Sequence, residues 1–194
     1  MHYIVALGNI GNKYKNTRHN VGWTVLDYFI ESERLPSLVD SAQFSGGISR
    51  GVILAQEVVI LFPHTFMNKS GSAVRKLVPK EEIENLVVVY DDIDLPMGEI
   101  KISVGRGAGG HNGVASIIEA LGSKDFVRIR VGIAPVSFWT GKARRPEAAA
   151  LSRHVLGNFT RREEAKLAET KETVRDAIKT IITEGVGVAM NKYN

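Results

Sequence analysis

The 194-residue chain contains no cysteine. That excludes disulfide bonds, a thiol nucleophile and any thiolate metal site together. No stretch approaches the roughly 18 consecutive apolar residues of a membrane span. The first apolar run, MHYIVALGNIG, is short and lacks a basic leader, so it does not read as a signal peptide. The expected compartment is the cytoplasm, and no membrane partner is expected. An excess of one charge is nearly absent too, since 25 Lys and Arg against 21 Asp and Glu leave only +4. Such a balance is compatible with a polyanionic partner without requiring one. GISRG (47–51) matches GxSxG in letters only, since it does not lie between a predicted strand and a predicted helix as a nucleophile elbow would. Without that serine or a cysteine, histidine activation of water is the economical hydrolytic chemistry.

What is present is a globular composition, 44% hydrophobic and 24% charged, in a chain long enough for one sizeable core. Apolar runs at 2–7, 57–62 and 86–90 predict buried strands. EIKISV (99–104) and VRIRVGI (127–133) alternate apolar with polar, which predicts half-exposed strands. Helical spacing appears at Val21, Val25, Leu26, Phe29 and Ile30, and again at Ala73, Val74, Leu77 and Val78. It recurs at Val114, Ile117, Ile118 and Leu121, with Gly122 as a C-terminal cap. A last helix opens at the capping box of Thr160 and Glu163 and ends at Gly185. Strands and helices interleave without repeats, which predicts a single α/β domain over 1–194: a twisted mixed β-sheet flanked by helices on both faces. Residues 134–158 have weak periodicity, two prolines and a basic run that includes Lys142, Arg144 and Arg145. They are read as a mobile lid.

In open α/β sheets ligands bind beyond the carboxyl ends of the strands. Three predicted strands end in polar clusters: Asn9 to Asn20, PHTFMNKSG (63–71) and DDIDLPMG (91–98). A fourth cluster, GRGAGGHNG (105–113), lies between a strand and a helix. Its Gly105, Gly107 and Gly110 formally satisfy GxGxxG, but the preceding strand alternates, unlike the buried strand of a dinucleotide fold. A glycine-rich turn that delivers His111 and Asn112 to a helix N-terminus is the preferred reading. Asp91, Asp92 and Asp94 invite a metal, yet no second carboxylate cluster accompanies them. Asp92 and Asp94 read as turn-capping residues, and Asp91 as the carboxylate best placed to meet an imidazole. Among five histidines, His2, His64 and His154 lack suggestive company, whereas His19 sits within an amide cluster and titrates near neutrality.

GNIGNKYKNTRHNVG, PHTFMNKSGSAV, DDIDLPMGEIKI, GAGGHNG and FVRIRVGI resemble, in order and spacing, the motifs of bacterial-type peptidyl-tRNA hydrolases. The resemblance covers residues 3–133 and continues less closely through HVLGNFT (154–160). It implies a monomeric enzyme that cleaves the ester between a peptide, or an N-blocked aminoacyl group, and the 3′-terminal ribose of tRNA. By motif position His19 would be the general base and Asp91 its orienting carboxylate. Asn9 would discriminate blocked from free aminoacyl substrates. Tyr14, Phe66, Asn68 and Asn112 would contact substrate, and Met67 would line the peptide channel. No metal and no organic cofactor is implied. Ser103 stands where many members carry a basic residue that grips the 5′ phosphate, and its expected partner on the next strand is Arg130. Two other readings are an RNA-binding protein without catalysis on the same scaffold, and a metal-dependent phosphohydrolase built on the aspartates. Retention of His19, Asp91 and the three substrate asparagines argues against the first.

Overall fold

β1 (His2–Ala6) places Tyr3 and Val5 on one face and Ile4 and Ala6 on the other, and all four are buried. A strand buried on both faces belongs at the centre of a covered sheet. A computed structural model of the chain, describing residues 1–137 and 143–194, has that organisation. β1 runs parallel to β4 (Gln56–Pro63) and to β5 (Leu86–Pro96), and β5 runs parallel to β7 (Val127–Ala134). The edges are antiparallel: β2 (Val39–Ser41) and β3 (Gly46–Ile53) beyond β4, and β6 (Ile100–Val104) beyond β7. The seven-stranded order is β2-β3-β4-β1-β5-β7-β6.

Alternation along the central strands splits the core in two. Ile4 and Ala6 pack with Val25 and Phe29 of α1 (Val21–Ser32), and with Val174, Ile178 and Ile181 of α5 (Arg161–Glu184). Tyr3, Val5 and Leu7 pack on the opposite face with Val74 and Leu77 of α2 (Ser70–Leu77), and with Val114 and Ile117 of α3 (Asn112–Leu121). Gly71 lets α2 and α3 touch, since a Cβ there would lie 2.0 Å from the Ser116 carbonyl oxygen. Gly122 ends α3 at φ 66°, and Thr160 and Glu163 cap α5 reciprocally, as expected from the sequence. α6 (Val186–Tyr193) follows Gly185 and reaches the edge of β6, where the Asn194 amide both accepts from and donates to the Ile102 backbone. None of the helices among the described residues is long and apolar enough to cross a membrane.

Two expectations need correction. β7 is not half-exposed: every residue except Arg130 is buried, because Val127, Ile129, Val131 and Ile133 face one core and the glycine-rich loop covers Arg128 on the other face. Ser103 faces Arg128 across the β6–β7 pairing, while Arg130 faces Lys101, so Ser103 and Arg130 are not cross-strand partners. Within 134–158 the structure adds α4 (Ala148–Val155), a helix not expected from the sequence. Residues 138–142, and with them Lys142 of the expected lid, lie outside the described residues.

Candidate active site

The parallel strands β1, β4 and β5 release their loops on one side of the sheet. β6 runs the other way, so the glycine-rich loop climbs back along the sheet before α3 begins. Arg128 holds this loop. Its side chain is 1% exposed and donates to the carbonyls of Gly107 (2.8 Å), Arg106 and Lys124. Its Nε is buried without a partner among the described residues. All four polar clusters meet at a cleft of about 1190 Å³, and the aspartates of the third belong to β5, which runs on to Pro96 rather than ending before them.

Each proposed site residue lines that cleft: Asn9, Tyr14, His19, Phe66, Met67, Asn68, Asp91, Asn112 and Arg130. The crowded amides after β1 divide by role. Asn20 is structural, its Oδ1 accepting from Asn9 N and its Nδ2 donating to Asn9 O, both at 2.9 Å. This pair closes the loop at the start of α1. Asn12 and Asn16 are exposed and do not line the cleft. Asn9 Oδ1 accepts from Met67 N at 2.9 Å, tying the β1 loop to the β4 loop. That bond fixes the amide orientation and leaves Nδ2 as the donor available to a ligand. Met67 is buried in the core below, while Phe66 is 55% exposed at the rim.

His19 stands in the turn before α1, where its Nδ1 meets Asp91 Oδ1 at 2.8 Å. Asp91 is 4% exposed near the end of the apolar part of β5. An ionised carboxylate only accepts, so His19 carries its proton on Nδ1 and Nε2 is left with its lone pair. Burial disfavours the imidazolium of His19, but the charge and hydrogen bond of Asp91 outweigh it and raise the pKa. Burial likewise opposes the Asp91 carboxylate, yet His19 and His111 hold its pKa well below the usual carboxylate range.

His111 is the residue that sequence reasoning left without a role. Its Nε2 lies 3.0 Å from the same Asp91 oxygen, and its Nδ1 accepts from Val114 N at 3.2 Å. Its place in GAGGHNG, one residue before Asn112, was the available signal; the meeting with β5 depends on the climbing loop. The sequence also gave no sign of the apolar wall built by Leu151 and Val155 of α4 and by Leu156. Asp92 does not cap a turn as expected: it lies in β5 at a break in register with β7, where its Oδ1 accepts from Asp94 N at 2.8 Å and its Oδ2 pairs with Arg130. Asp94 pairs with Arg145 at 2.6 Å.

The ligand atoms of His19, Asp91 and His111 lie within 4.8 Å of one another, close enough to consider a metal. The cap bond argues against one. Because His111 Nδ1 accepts a hydrogen bond, its single N–H sits on Nε2, and coordination there would cost the helix cap by moving that proton to Nδ1.

An α/β fold whose strand ends hold a carboxylate-oriented imidazole over a large cleft fits the class of hydrolytic enzymes. Within that class, the chain belongs to the peptidyl-tRNA hydrolase family, whose profile matches residues 3–194. A peptidyl-tRNA hydrolase of Thermodesulfovibrio yellowstonii is 42% identical over 195 positions, covering 98% of this chain and 97% of the relative. One from Lachnospira eligens is 38% identical over 196 positions, covering 100% of both. A crystal structure of peptidyl-tRNA hydrolase in complex with N-propanol superimposes with a TM-score of 0.89 at 30% identity, covering 100% of this chain and 94% of that one.

Proposed function

We propose that this chain hydrolyses the ester joining a peptide, or an N-blocked aminoacyl group, to the 3′-terminal ribose of tRNA, releasing free tRNA for translation. The observation that carries the reading is the 2.8 Å bond from His19 to Asp91, which leaves His19 Nε2 unprotonated in the cleft. Nε2 takes a proton from water as the water oxygen bonds to the ester carbonyl carbon. Asp91 stabilises the resulting imidazolium. The Asn112 amide and the free N–H groups at the start of α3 are the donors available to the tetrahedral oxyanion. Collapse breaks the carbon–oxygen bond to the ribose, and the imidazolium returns its proton to the departing oxygen.

Asparagine amides suit a substrate of any peptide sequence, because they pair with main-chain N–H and C=O groups alone. Asn9 Nδ2 and Asn68 take that part, with Tyr14 and the exposed Phe66 at the rim. Lys101, Arg106 and Arg130 line the same cleft and offer positive charge to the nucleic acid. In this reading the enzyme is a cytoplasmic monomer that works without a metal, and 134–158 acts as a lid. The test is release of peptide from an N-acetylated aminoacyl-tRNA, with and without chelator. Cleavage indifferent to chelator is expected, and His19→Ala should lower turnover by about 10²–10⁴ with little change in binding. Binding without cleavage would overturn the reading, and so would turnover that survives His19→Ala.

A further inference from the structure

Gly109 and Gly110, at φ 60° and 83°, turn the glycine-rich loop so that residue 111 caps α3 beside the end of β5. His111 is an unusual choice for a cap, since small oxygen-bearing side chains normally do this work. Here the ring spans two partners that no short side chain could reach together. Nδ1 accepts from Val114 N, which leaves the ring proton on Nε2, and Nε2–H donates to Asp91 Oδ1. His19 Nδ1–H donates to that same oxygen. One carboxylate oxygen therefore serves two imidazoles, whose ring centroids lie 5.3 Å apart. Tyr90, the residue before Asp91, packs its ring 4.8 Å from that of His111 and holds its tilt.

We propose that His111 is a positioning residue that sets the basicity of His19: as second donor to the oxygen His19 uses, it draws off part of the Asp91 charge. The inference rests on His19 being the base. A lone Asp91–His19 pair would give His19 the full pull of the carboxylate and hold its imidazolium to higher pH. Sharing keeps more of His19 in the free-base form near neutrality, where the reaction needs it. Among the described residues, Asp91 from β5 and His111 from the start of α3 are the titratable groups that face the His19 ring. The neighbouring charges turn elsewhere: Arg18 to Glu163, Arg130 to Asp92, and the His154 ring to the Ile133 carbonyl.

The test separates the two bonds of His111. His111→Asn keeps a strong helix cap but is too short to reach Asp91. His111→Gln is longer and can donate to Asp91, but caps poorly. The readouts are the acid limb of kcat/KM against pH and the titration of the His19 ring followed by NMR. For His111→Asn both should move to higher pH by about half a unit to one unit, with thermal stability close to that of the parent. His111→Gln should return both toward the parent value while melting at a lower temperature. An acid limb and a His19 titration that stay in place, or move to lower pH, in His111→Asn would overturn the proposal. His19→Ala keeps the two readings apart. If it abolishes turnover while His111→Asn shifts nothing, only the role of His111 falls; if it spares turnover, the base assignment falls.

Discussion

Arg18 grips Glu163 with a two-pronged guanidinium, Nε to Oε1 at 3.1 Å and Nη2 to Oε2 at 2.7 Å. The same guanidinium donates to the His154 carbonyl at 3.1 Å, and the Arg18 backbone N–H donates to Gly157 O at 3.0 Å. The residue next to His19 is thus fastened to the end of α4 and to the first turn of α5. Glu163 also closes the capping box with Thr160, so one carboxylate serves both the helix cap and the site.

Breaking this pair should therefore affect both stability and turnover. Arg18→Met leaves Glu163 largely buried without its cation and should cost about 3 kcal/mol, the lower end for broken buried pairs because Glu163 keeps some exposure. Burial opposes the Glu163 carboxylate, but bonds from Arg18 and Thr160 prevail and lower its pKa below the ordinary 4.5. A depressed carboxylate contributes stability that is present above its unfolded pKa and lost as pH falls through its folded one. Glu163→Gln should accordingly flatten the loss of stability below about pH 4.5. Thermal melts across pH decide it, and an unchanged acid profile would mean the pair does not stabilise the fold.

The pH profile of the reaction tests Asp91. With the His19 pKa raised above its ordinary 6.5, the acid limb of kcat/KM should lie above 6.5 in the parent. Asp91→Asn removes the attraction and leaves only burial, so the limb should move down, below 6.5. The linkage to folding has the matching sign. A raised imidazole pKa gives stability that is fully present below 6.5 and lost as pH rises through the folded value. Asp91→Asn should then destabilise the protein more at about pH 5 than at about pH 9. A limb that stays put would show that Asp91 does not govern His19.

Asn9 offers a substitution that divides structure from recognition. Its Oδ1 is occupied by Met67 N, so Asn9→Asp preserves that acceptor while removing the Nδ2 donor. Stability should fall somewhat, because Asn9 is buried and a carboxylate there gives up hydration, but the tie to Met67 N is kept. Selectivity for blocked over unblocked aminoacyl-tRNA should fall, because the group facing the substrate is now an acceptor with a charge. Asn9→Ala should lose stability as well, since Met67 N–H is left unpaired in a buried place. If Asn9→Asp keeps full selectivity, Asn9 serves only to join the two loops.

The strands β1, β4 and β5 were legible because each is a continuous apolar run, and α5 because its capping box and Gly185 bracket a long apolar stripe. β3 was not, for GGISRGVI has three glycines and an arginine and becomes a strand through its antiparallel pairing to β4 from Gly46↔Pro63 to Ile53↔Gln56. VRIRVGI misled in a different way. Alternation distinguishes two faces but not what covers them, and Arg128 is buried because a loop supplies carbonyls where water was expected. His19 and Asp91 were readable from their motifs together with their placement after strands. His111 needed the third dimension, since its two bonds join a loop, a helix and a strand.

The last prediction concerns the phosphate contact. Arg130 lies in the cleft with its guanidinium against Asp92, opposite Lys101 on β6. Ser103 is buried and opposite Arg128, so adding a lysine there would crowd a buried cation before it reached a phosphate. The more direct way to strengthen the contact is to remove the competitor of Arg130. Asp92→Asn retains the oxygen that accepts from Asp94 N and so keeps the local geometry of β5, while neutralising the group paired with Arg130. Each additional phosphate neutralised steepens the logarithmic salt dependence of binding by about 0.7–0.9. Asp92→Asn should therefore bind tRNA more tightly at low salt, with a slope steeper by about that amount. Arg130→Ala should flatten the slope by a similar step and weaken full-length tRNA substrates while sparing short esters that lack the 5′ phosphate. The measurement is affinity against salt for the parent and both variants, with hydrolysis of a truncated ester beside it. If Arg130→Ala weakens short and long substrates alike and Asp92→Asn leaves the slope unchanged, the pair braces β5 against β7, and the exposed Arg144 and Arg145 become the stronger candidates for the phosphate.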